Sequence, residues 1–164
     1  MSMTTAAVLG TGAWGTTFAQ VLADAGVSVT MWGRNADTIS FINGGENPTY
    51  LPGIALSERI SATTDIAEAV AGRELVVVAV PVKAVRATLS AARESFAPDV
   101  ALLSLAKGLE LGSLKRVDEI IAEASGAPSD RIAVLSGPNL SREIAERQPT
   151  ATVVAATDVE LAKE

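Results

Sequence analysis

The stretch Gly10-Thr11-Gly12-Ala13-Trp14-Gly15 decides how this chain folds. It follows an apolar segment at residues 5–9 and precedes a helical pattern over residues 16–25, so its glycines lie at a strand-to-helix turn. In that context the pattern G-x-G-x-x-G is typical of a dinucleotide-binding turn. The first glycine allows the tight turn, the second leaves room for a pyrophosphate beside the backbone, and the third lets the helix pack close to the strand. We therefore predict that the first helix presents its N-terminal N–H groups to a phosphate.

Composition limits the classes of protein to which the chain can belong. Its 164 residues are 48% hydrophobic and 20% charged, which is typical of one globular domain with its own core. The longest apolar runs, such as residues 75–82, are too short to span a bilayer, and residues 1–9 do not have the pattern of a signal peptide. We therefore expect a cytoplasmic protein with no membrane insertion.

Several kinds of chemistry are excluded by what the sequence lacks. It contains no cysteine and no histidine, which removes disulfides, thiol nucleophiles, thiolate metal sites and imidazole catalysis. Proton transfer would have to use lysine, a carboxylate, a hydroxyl or water. The net charge of −6 argues against nucleic acid as a partner, because phosphate-backbone binding needs clustered basic residues. We predict no metal site and a small anionic ligand held by a few cations.

Short apolar segments alternate with helical patterns along the chain. Strands are predicted over residues 5–9, 27–32, 60–62, 75–80, 101–105, 132–135 and 151–155. Helices are predicted over residues 16–25, 82–95, 113–125 and 140–146, with a short one that ends at Asn43, another that begins at a capping box of Asp65 and Glu68, and a long loop over residues 44–53. This alternation predicts an α/β fold of the Rossmann type, a doubly wound and mostly parallel sheet with helices on both faces. We expect a single NAD(P)-binding domain over residues 1–164.

The end of the second strand bears on cofactor choice. An acidic residue about 20 residues beyond the glycines binds the ribose 2′-hydroxyl of NAD, whereas an arginine there accommodates a 2′-phosphate. This chain has Gly33-Arg34-Asn35 at that place. The interpretation favours NADP(H) over NAD(H), with Arg34 beside the 2′-phosphate. The alternative is that Arg34 is a solvated charge or stacks on adenine without selecting either cofactor.

Other candidate site residues follow later strands. Pro81 ends the strand at residues 75–80, and Lys107 follows the strand at residues 101–105. The turn at residues 136–139 combines a permissive glycine with the polar side chains of serine and asparagine. In open α/β sheets ligands bind at the carboxyl ends of the strands, so Lys107 is predicted to hold a substrate oxygen or phosphate. The alternative is a solvent-facing loop lysine.

In combination these motifs resemble the N-terminal cofactor domain of NAD(P)-dependent glycerol-3-phosphate dehydrogenases of the bacterial type. The resemblance covers the whole chain. The lysine-glycine motif followed by the serine-glycine-proline motif is more specific than the glycine turn. The matching stretches are residues 10–15, 32–34, 47–53, 80–81, 106–110, 136–138, Glu143 and 149–151.

The resemblance implies roles for individual residues. Ala13, Trp14 and Arg34 would contact the cofactor, with Ser141 against the nicotinamide and Lys107 touching both cofactor and substrate. Substrate would also meet Gly137 and Asn139. With the residues predicted from the turns, the cofactor set is Gly10, Gly12, Ala13, Trp14, Gly15, Arg34, Pro81, Lys107 and Ser141. Asn139 and Ser141 depart from the residues commoner in the family, which puts their side-chain contacts in doubt.

The resemblance also implies a reaction and a second domain. Family members transfer a hydride reversibly between sn-glycerol 3-phosphate and NAD(P), giving dihydroxyacetone phosphate, and supply glycerophospholipid synthesis. Their second, all-helical domain provides the lysine that accepts the proton and the Arg-Asn pair that grips the substrate phosphate. The sequence ends before any such domain, so we expect no catalytic base in this chain. We expect it to bind cofactor and to turn over no substrate.

Other interpretations remain open at this point. The nearest is a related dehydrogenase domain that acts on a 3-hydroxy acid, 2-ketopantoate or 6-phosphogluconate. A second is a non-catalytic NAD(P) sensor that signals to a partner. A methyltransferase that uses S-adenosylmethionine is disfavoured, because it normally has an acid where this chain has Gly33-Arg34. The face that would dock a helical domain would be apolar, which favours a homodimer.

Overall fold

A computed structural model describes residues 3–163. Its strands are β1 (Thr5–Leu9), β2 (Ser28–Trp32), β3 (Glu46–Asn47), β4 (Leu51–Ala55), β5 (Ile60–Thr63), β6 (Leu75–Val78), β7 (Ala101–Ser104), β8 (Ile132–Ser136) and β9 (Val153–Ala156). Its α-helices are α1 (Ala13–Asp24), α2 (Ala36–Asn43), α3 (Ile66–Val70), α4 (Val82–Ala92), α5 (Val117–Ser125), α6 (Ser141–Ala145) and α7 (Val159–Lys163). Short 3₁₀ helices cover Arg93–Ser95 and Ser129–Arg131.

The main sheet has seven strands in the order β5-β2-β1-β6-β7-β8-β9. All neighbours are parallel except β8 and β9, which are antiparallel. In the centre Val8 of β1 lies opposite Met31 of β2 and Val77 of β6. The chain therefore runs outward from β1 in one direction and then returns to continue in the other, which confirms the predicted doubly wound, Rossmann-type sheet.

Helices cover both faces of this sheet and divide the core in two. On one face α1 and α2 contribute Phe18, Ala19, Ile39 and Ile42. On the other face α3, α4 and α5 contribute Val70, Val85, Leu89, Ile120 and Ile121. The central strands are apolar on both sides because each face is covered by helices. In β1, for example, Ala6 and Val8 belong to the first core and Ala7 and Leu9 to the second.

Some predicted boundaries differ from the structure. Helix α1 begins at Ala13 rather than residue 16, because the Thr16 N–H already donates to the Gly12 carbonyl at 2.9 Å. Strand β6 ends at Val78, and helix α4 ends at Ala92 before a 3₁₀ turn. Asp65 caps α3, but Glu68 bonds to the Thr63 hydroxyl instead of completing the capping box.

The long loop predicted over residues 44–53 is wrong in part. Strands β3 and β4 pair there as a two-stranded antiparallel ribbon separate from the main sheet. The Leu56 N–H donates to the Gly45 carbonyl at 2.8 Å and closes the base of the ribbon. Leu51 is buried, so tertiary packing stabilises strands that a composition rich in turn formers does not predict.

The helix predicted over residues 113–125 begins four residues later than expected, at Val117. Over residues 109–116 the chain reverses its direction, so that Leu109 and Arg116 form an antiparallel β-bridge. Leu114 has a left-handed φ of 56°, which a helix does not allow. The Glu119 carboxylate accepts from the Arg116 N–H at 2.8 Å and so fixes the start of α5.

Candidate functional site

A cleft of about 460 Å³ lies at the carboxyl ends of the central strands. It forms where β1, β2, β6 and β7 each run into a loop, at the point where the direction of the sheet's winding reverses. Open α/β sheets bind ligands at this place. The residues that line the cleft are Gly10, Thr11, Gly12, Trp14, Gly15, Trp32, Gly33, Arg34, Tyr50, Ala79, Val80, Pro81, Leu105 and Ala106.

The glycines of the first turn meet different surroundings. A Cβ on Gly10 would lie 2.8 Å from the Ala79 carbonyl oxygen, and Gly10 has a φ of 126°. A Cβ on Gly15 would lie 2.2 Å from the Gly10 carbonyl oxygen. A Cβ on Gly12, in contrast, would meet no atom within 4 Å. The first and third glycines are thus required by packing, whereas the second leaves open space beside the backbone.

The N-terminus of α1 is suited to an anion. Gly12 is its N-cap and provides no side chain to cap the helix, and the first turn contains no acidic residue. The N–H groups of a first helical turn have no partner inside the helix, and the helix dipole adds partial positive charge there. Because the space at Gly12 is open, a pyrophosphate fits against these groups.

Aromatic residues form part of the cleft wall. The Trp14 ring packs edge-on against Phe18, with 5.8 Å between ring centroids. The Trp32 indole N–H donates to the Thr64 carbonyl at 3.0 Å. Tyr50, on the turn of the β3–β4 ribbon, is half exposed. These rings offer flat apolar surfaces on which a nucleotide base or ribose packs.

Arg34 supplies the charge of the cleft. It follows β2, is exposed, and is the one charged side chain among the lining residues given above. Just before it, a Cβ on Gly33 would lie 2.6 Å from the Thr11 side chain, so glycine allows the end of β2 to approach the first turn closely. The guanidinium is free to meet an anionic group, and no carboxylate of the lining competes with such a ligand.

Lys107 lies in a second depression of about 470 Å³ that adjoins the cleft through Ala106. Its ammonium donates to the Gly137 carbonyl at 2.8 Å. A Cβ on Gly137 would lie 2.7 Å from the Ala151 carbonyl oxygen, so only glycine fits at this position. The loops after β7 and β8 are therefore joined by the lysine at the edge of the cleft.

The loop that contains Lys107 is held in place by ion pairs at Glu110, three residues further along the chain. Arg86 of α4 donates two hydrogen bonds to the Glu110 carboxylate, both at 2.8 Å. This pairing, with a further hydrogen bond from the Ser113 hydroxyl at 2.6 Å, lowers the pKa of Glu110 to about 2. Arg86 also contacts Glu123 of α5 at 3.0 Å. The network fixes the segment that follows Lys107 to two helices.

The remaining predicted residues do not line either depression. Ala13 is the first residue of α1, between two residues that do line the cleft. Asn139 donates weakly to the Thr152 hydroxyl at 3.5 Å, and its Oδ1 is buried without a partner among residues 3–163. Ser141 begins α6, and its carbonyl accepts from the buried Thr17 hydroxyl at 3.1 Å.

Sequence reasoning predicted part of the cleft and missed part. The structure brings together Gly10, Gly12, Trp14, Gly15, Arg34 and Pro81, all of which were predicted. It adds lining residues to which no role was given, namely Thr11, Trp32, Gly33, Tyr50, Ala79, Val80, Leu105 and Ala106. Most of these end a parallel strand or directly follow one. Their position at the carboxyl ends of the predicted strands was therefore the signal that could have identified them. Tyr50 comes from the unpredicted ribbon.

Residues 3–163 contain neither a membrane-spanning helix nor a cluster of metal-binding side chains. None of the helices there has both the length and the apolar character needed to cross a membrane. No group of three or more acidic residues lies close enough together in that range to hold a metal ion.

Comparison with known proteins adds independent information. A family model described as the N-terminus of NAD-dependent glycerol-3-phosphate dehydrogenase matches residues 5–162. The chain is 54% identical over 162 residues to glycerol-3-phosphate dehydrogenase (NAD(P)+) of Thermobifida fusca, covering 98% of the chain and 48% of that protein. The Streptomyces griseus protein of the same name is 52% identical over 159 residues, covering 96% and 47%. The chain thus spans about half the length of these curated relatives.

Solved structures agree with this match. The crystal structure of glycerol-3-phosphate dehydrogenase from Coxiella burnetii superposes with a TM-score of 0.90 at 30% identity, covering 98% of this chain and 49% of that one. The yeast glycerol-3-phosphate dehydrogenase superposes with a TM-score of 0.83 at 27% identity, covering 94% and 48%. On the family match over residues 5–162, this chain belongs to the NAD-dependent glycerol-3-phosphate dehydrogenase family and corresponds to its N-terminal part.

Proposed function

We propose that this chain is the NAD(P)-binding part of a glycerol-3-phosphate dehydrogenase, which transfers a hydride reversibly between sn-glycerol 3-phosphate and NAD(P) to give dihydroxyacetone phosphate. The observation that carries the proposal is the first turn. Gly10 and Gly15 are enclosed by backbone, while Gly12 opens onto the cleft at an uncapped helix start. This arrangement suits a dinucleotide pyrophosphate.

The cleft residues have distinct roles in this proposal. The N–H groups at the start of α1 bind the pyrophosphate, and Trp14 and Tyr50 pack against the rest of the dinucleotide. Arg34, which follows β2 and lines the cleft, is proposed to meet the 2′-phosphate of NADP, and this would give a preference for NADP(H) over NAD(H). When bound, the nicotinamide supplies the hydride chemistry at its C4 atom. The protein supplies position, charge and exclusion of water.

Lys107 is proposed to meet the substrate. Its ammonium is at the edge of the cleft and bonds to the Gly137 carbonyl, from which it can turn to an anionic oxygen. A cation beside the C2 oxygen stabilises the negative charge that develops there during hydride transfer. Gly137, Asn139 and Ser141 are proposed to complete the site on the side of the β8 loop. The substrate class is a small phosphorylated polyol.

We place the proton acceptor outside residues 3–163. The step needs a base at the C2 hydroxyl. Lys107 is already proposed as the cation beside the C2 oxygen, and the lining of the cleft contains no carboxylate. The family resemblance implies that a second, helical domain supplies a lysine for this role. The 164-residue chain is therefore proposed to bind cofactor without turning over glycerol 3-phosphate. Measurable dehydrogenase activity of this chain would overturn that part of the proposal.

Calorimetric titration with NADPH and, separately, NADH tests the proposed cofactor site. We expect both to bind and NADPH to bind more tightly. Arg34→Ala should weaken NADPH binding about tenfold and change NADH binding less, because a guanidinium–phosphate contact is charge-assisted. Arg59→Ala is the matched control, since this exposed arginine precedes the amino end of β5, whereas the cleft lies at the carboxyl ends of the parallel strands. No binding of either nucleotide would overturn the proposal.

The other enzyme classes considered from the sequence are not favoured. A ketopantoate reductase from Ralstonia eutropha superposes with a TM-score of 0.64 at 20% identity, which shows a shared fold and no more.

The cytoplasmic location and the homodimer stay predictions. Leu111 and Leu114 are 89% and 70% exposed, which supports an apolar contact surface on the segment at residues 109–116. A light-scattering mass of one chain would contradict the homodimer.

A further inference from the structure

Asn47 is a buried polar residue of the β3–β4 ribbon, with 1% of its surface exposed. Its side-chain amide nitrogen donates to the Thr11 carbonyl at 2.9 Å and to the Thr16 hydroxyl at 2.8 Å. Thr16 is fully buried in α1, and Thr11 is part of the glycine turn. One side chain therefore connects the ribbon to both sides of the glycine turn.

These groups form a closed triangle of hydrogen bonds. The Thr16 hydroxyl, which accepts from Asn47, itself donates to the Thr11 carbonyl at 3.3 Å. The Thr11 carbonyl thus accepts from two buried donors at once. A carbonyl held in this way has one preferred direction, because turning it away would leave buried donors without partners.

The direction of this carbonyl fixes the next N–H group. The peptide bond between Thr11 and Gly12 is planar and trans, as every peptide bond within the described residues is. Its N–H and C=O groups consequently point in opposite directions, so the Gly12 N–H points away from Asn47. Gly12 lines the cleft, with open space where a Cβ would be. The triangle therefore presets the direction of the Gly12 N–H, a backbone donor at the cleft.

The orientation of the Asn47 amide is determined by its partners. The Thr11 carbonyl can only accept, so the nitrogen and not the oxygen of the amide must face it. The Oδ1 atom is left buried without a hydrogen-bond partner among residues 3–163. Both hydrogen bonds that the amide donates go to Thr11 and Thr16, so its contacts with the glycine turn fix the orientation of the side chain.

The same residue also positions Tyr50. The Asn47 backbone carbonyl accepts from the Tyr50 N–H at 3.3 Å across the ribbon turn. Tyr50 is one of the residues that line the cleft. Side chain and backbone of Asn47 thus contact two separate parts of the cleft, the glycine turn and the aromatic wall.

We propose that Asn47 is a positioning residue for cofactor binding, which holds the Thr11–Gly12 peptide in the orientation that presents its N–H to the pyrophosphate. It does not itself contact the cofactor. This inference rests on the proposed function, because it assumes that the cleft binds a dinucleotide. It assigns a task in the site to the ribbon, although Asn47 lies 31 residues after Thr16 and 36 residues after Thr11 in the sequence.

Calorimetric dissociation constants for NADPH, measured on the 164-residue chain, test the proposal. Asn47→Ala and Asn47→Leu should each weaken binding about tenfold, because both remove two donors and Leu also fills the volume. Asn43→Ala is the matched control. Its amide exchanges two hydrogen bonds with the Ala62 backbone, at 2.7 and 2.9 Å, away from the glycine turn. It should lower the melting temperature and leave the dissociation constant unchanged.

Thr16 provides the test that separates positioning from mere stability. Thr16→Val removes the hydroxyl at nearly constant volume and should weaken binding severalfold, whereas Thr16→Ser keeps the hydroxyl and should recover most of the lost affinity. If the wild-type chain binds NADPH and both Asn47 variants bind it with the same dissociation constant, this inference is overturned and the proposed function is not. Equal losses in the Asn43 control, or no recovery in Thr16→Ser, would also overturn it. No binding by the wild-type chain would overturn the proposed function, and this inference with it.

Discussion

At the scale of single residues, the glycine turn shows that identical residues can be required for different reasons. Gly15 is enclosed by the Gly10 carbonyl and by Ala79, so its lack of a side chain serves packing. Gly12 has an extended conformation, with φ −69° and ψ 176°, that alanine also adopts, and there is open space around it. At this position the absence of a side chain leaves space for a ligand rather than for neighbouring residues.

This difference predicts that alanine at position 12 weakens cofactor binding, whereas alanine at position 15 lowers the stability of the fold. Gly12→Ala should change the free energy of unfolding by no more than about 1 kcal/mol, the usual range for an exchange at an N-cap. It should weaken NADPH binding about tenfold or more, since the new methyl group takes the space of the phosphate. Gly15→Ala should destabilise the chain by about 3 kcal/mol or more, because its Cβ would meet backbone atoms.

Urea unfolding and calorimetric titration of both variants check this prediction. Gly26→Ala is a useful reference, because Gly26 has a φ of 93° but no neighbour within 4 Å of its Cβ position. It should cost only the strain of the left-handed conformation, about 1–2 kcal/mol. A Gly12→Ala chain that binds NADPH as well as the wild type would show that the phosphate does not approach at this turn.

The residue scale also shows how far sequence reasoning reaches. Gly10, Gly12 and Gly15 could be assigned because a strand, a turn and a helix in succession limit what each position can be. Asn47 could not, since its importance depends on contacts with Thr11 and Thr16, more than 30 residues earlier. No local pattern encodes such a contact. Arg34 was predictable from its place after β2, but its effect on cofactor choice stays a prediction.

At the scale of elements, strands were easier to predict than the segments between them. Strand β6 is continuously apolar because both its faces are covered, so composition alone identifies it. The β3–β4 ribbon is rich in turn formers and is stabilised by Leu51 and Asn47, which are buried against the rest of the chain. Residues 113–116 were predicted to be helical, whereas the Ser113 hydroxyl bonds to Glu110 and α5 begins only at Val117.

The Glu110 network predicts how this segment responds to pH. Its hydrogen bonds with Arg86 and Ser113 lower the pKa of Glu110 from 4.5 to about 2. A carboxyl whose pKa is lower in the folded state stabilises the fold above its unfolded pKa, and that contribution is lost as pH falls through the folded value. Glu110→Gln should therefore lower the melting temperature at neutral pH. The difference from wild type should shrink between about pH 4.5 and about pH 2.

Melting temperatures measured against pH for wild type, Glu110→Gln and Glu58→Gln check this prediction. Glu58 is an exposed carboxylate for which the described residues provide no ion pair, so its variant should follow the wild type across the range. A constant difference between wild type and Glu110→Gln down to about pH 2 would contradict the role of the ionised Glu110 carboxylate.

At the scale of the whole molecule, the cleft and the two cores belong to the same sheet. The strands that end at the cleft also carry both cores, since β1 and β6 contribute buried residues to each face. A ligand at the strand ends therefore contacts loops whose geometry depends on the entire sheet. For this reason the binding of cofactor and the stability of the chain should be coupled, with no part of the sheet unfolding separately.

This coupling can be measured because both tryptophans of the sequence, Trp14 and Trp32, line the cleft. NADP+ at about 100 times its dissociation constant should add about 2.7 kcal/mol to the free energy of unfolding. For a chain of this size that corresponds to a rise of roughly 5–10 °C in melting temperature. Tryptophan fluorescence, which reports the cleft, and scanning calorimetry, which reports the whole chain, should give the same rise, and Gly12→Ala should lose most of it. A rise seen by fluorescence alone would mean that the cleft loops unfold independently of the sheet, and would contradict the coupling.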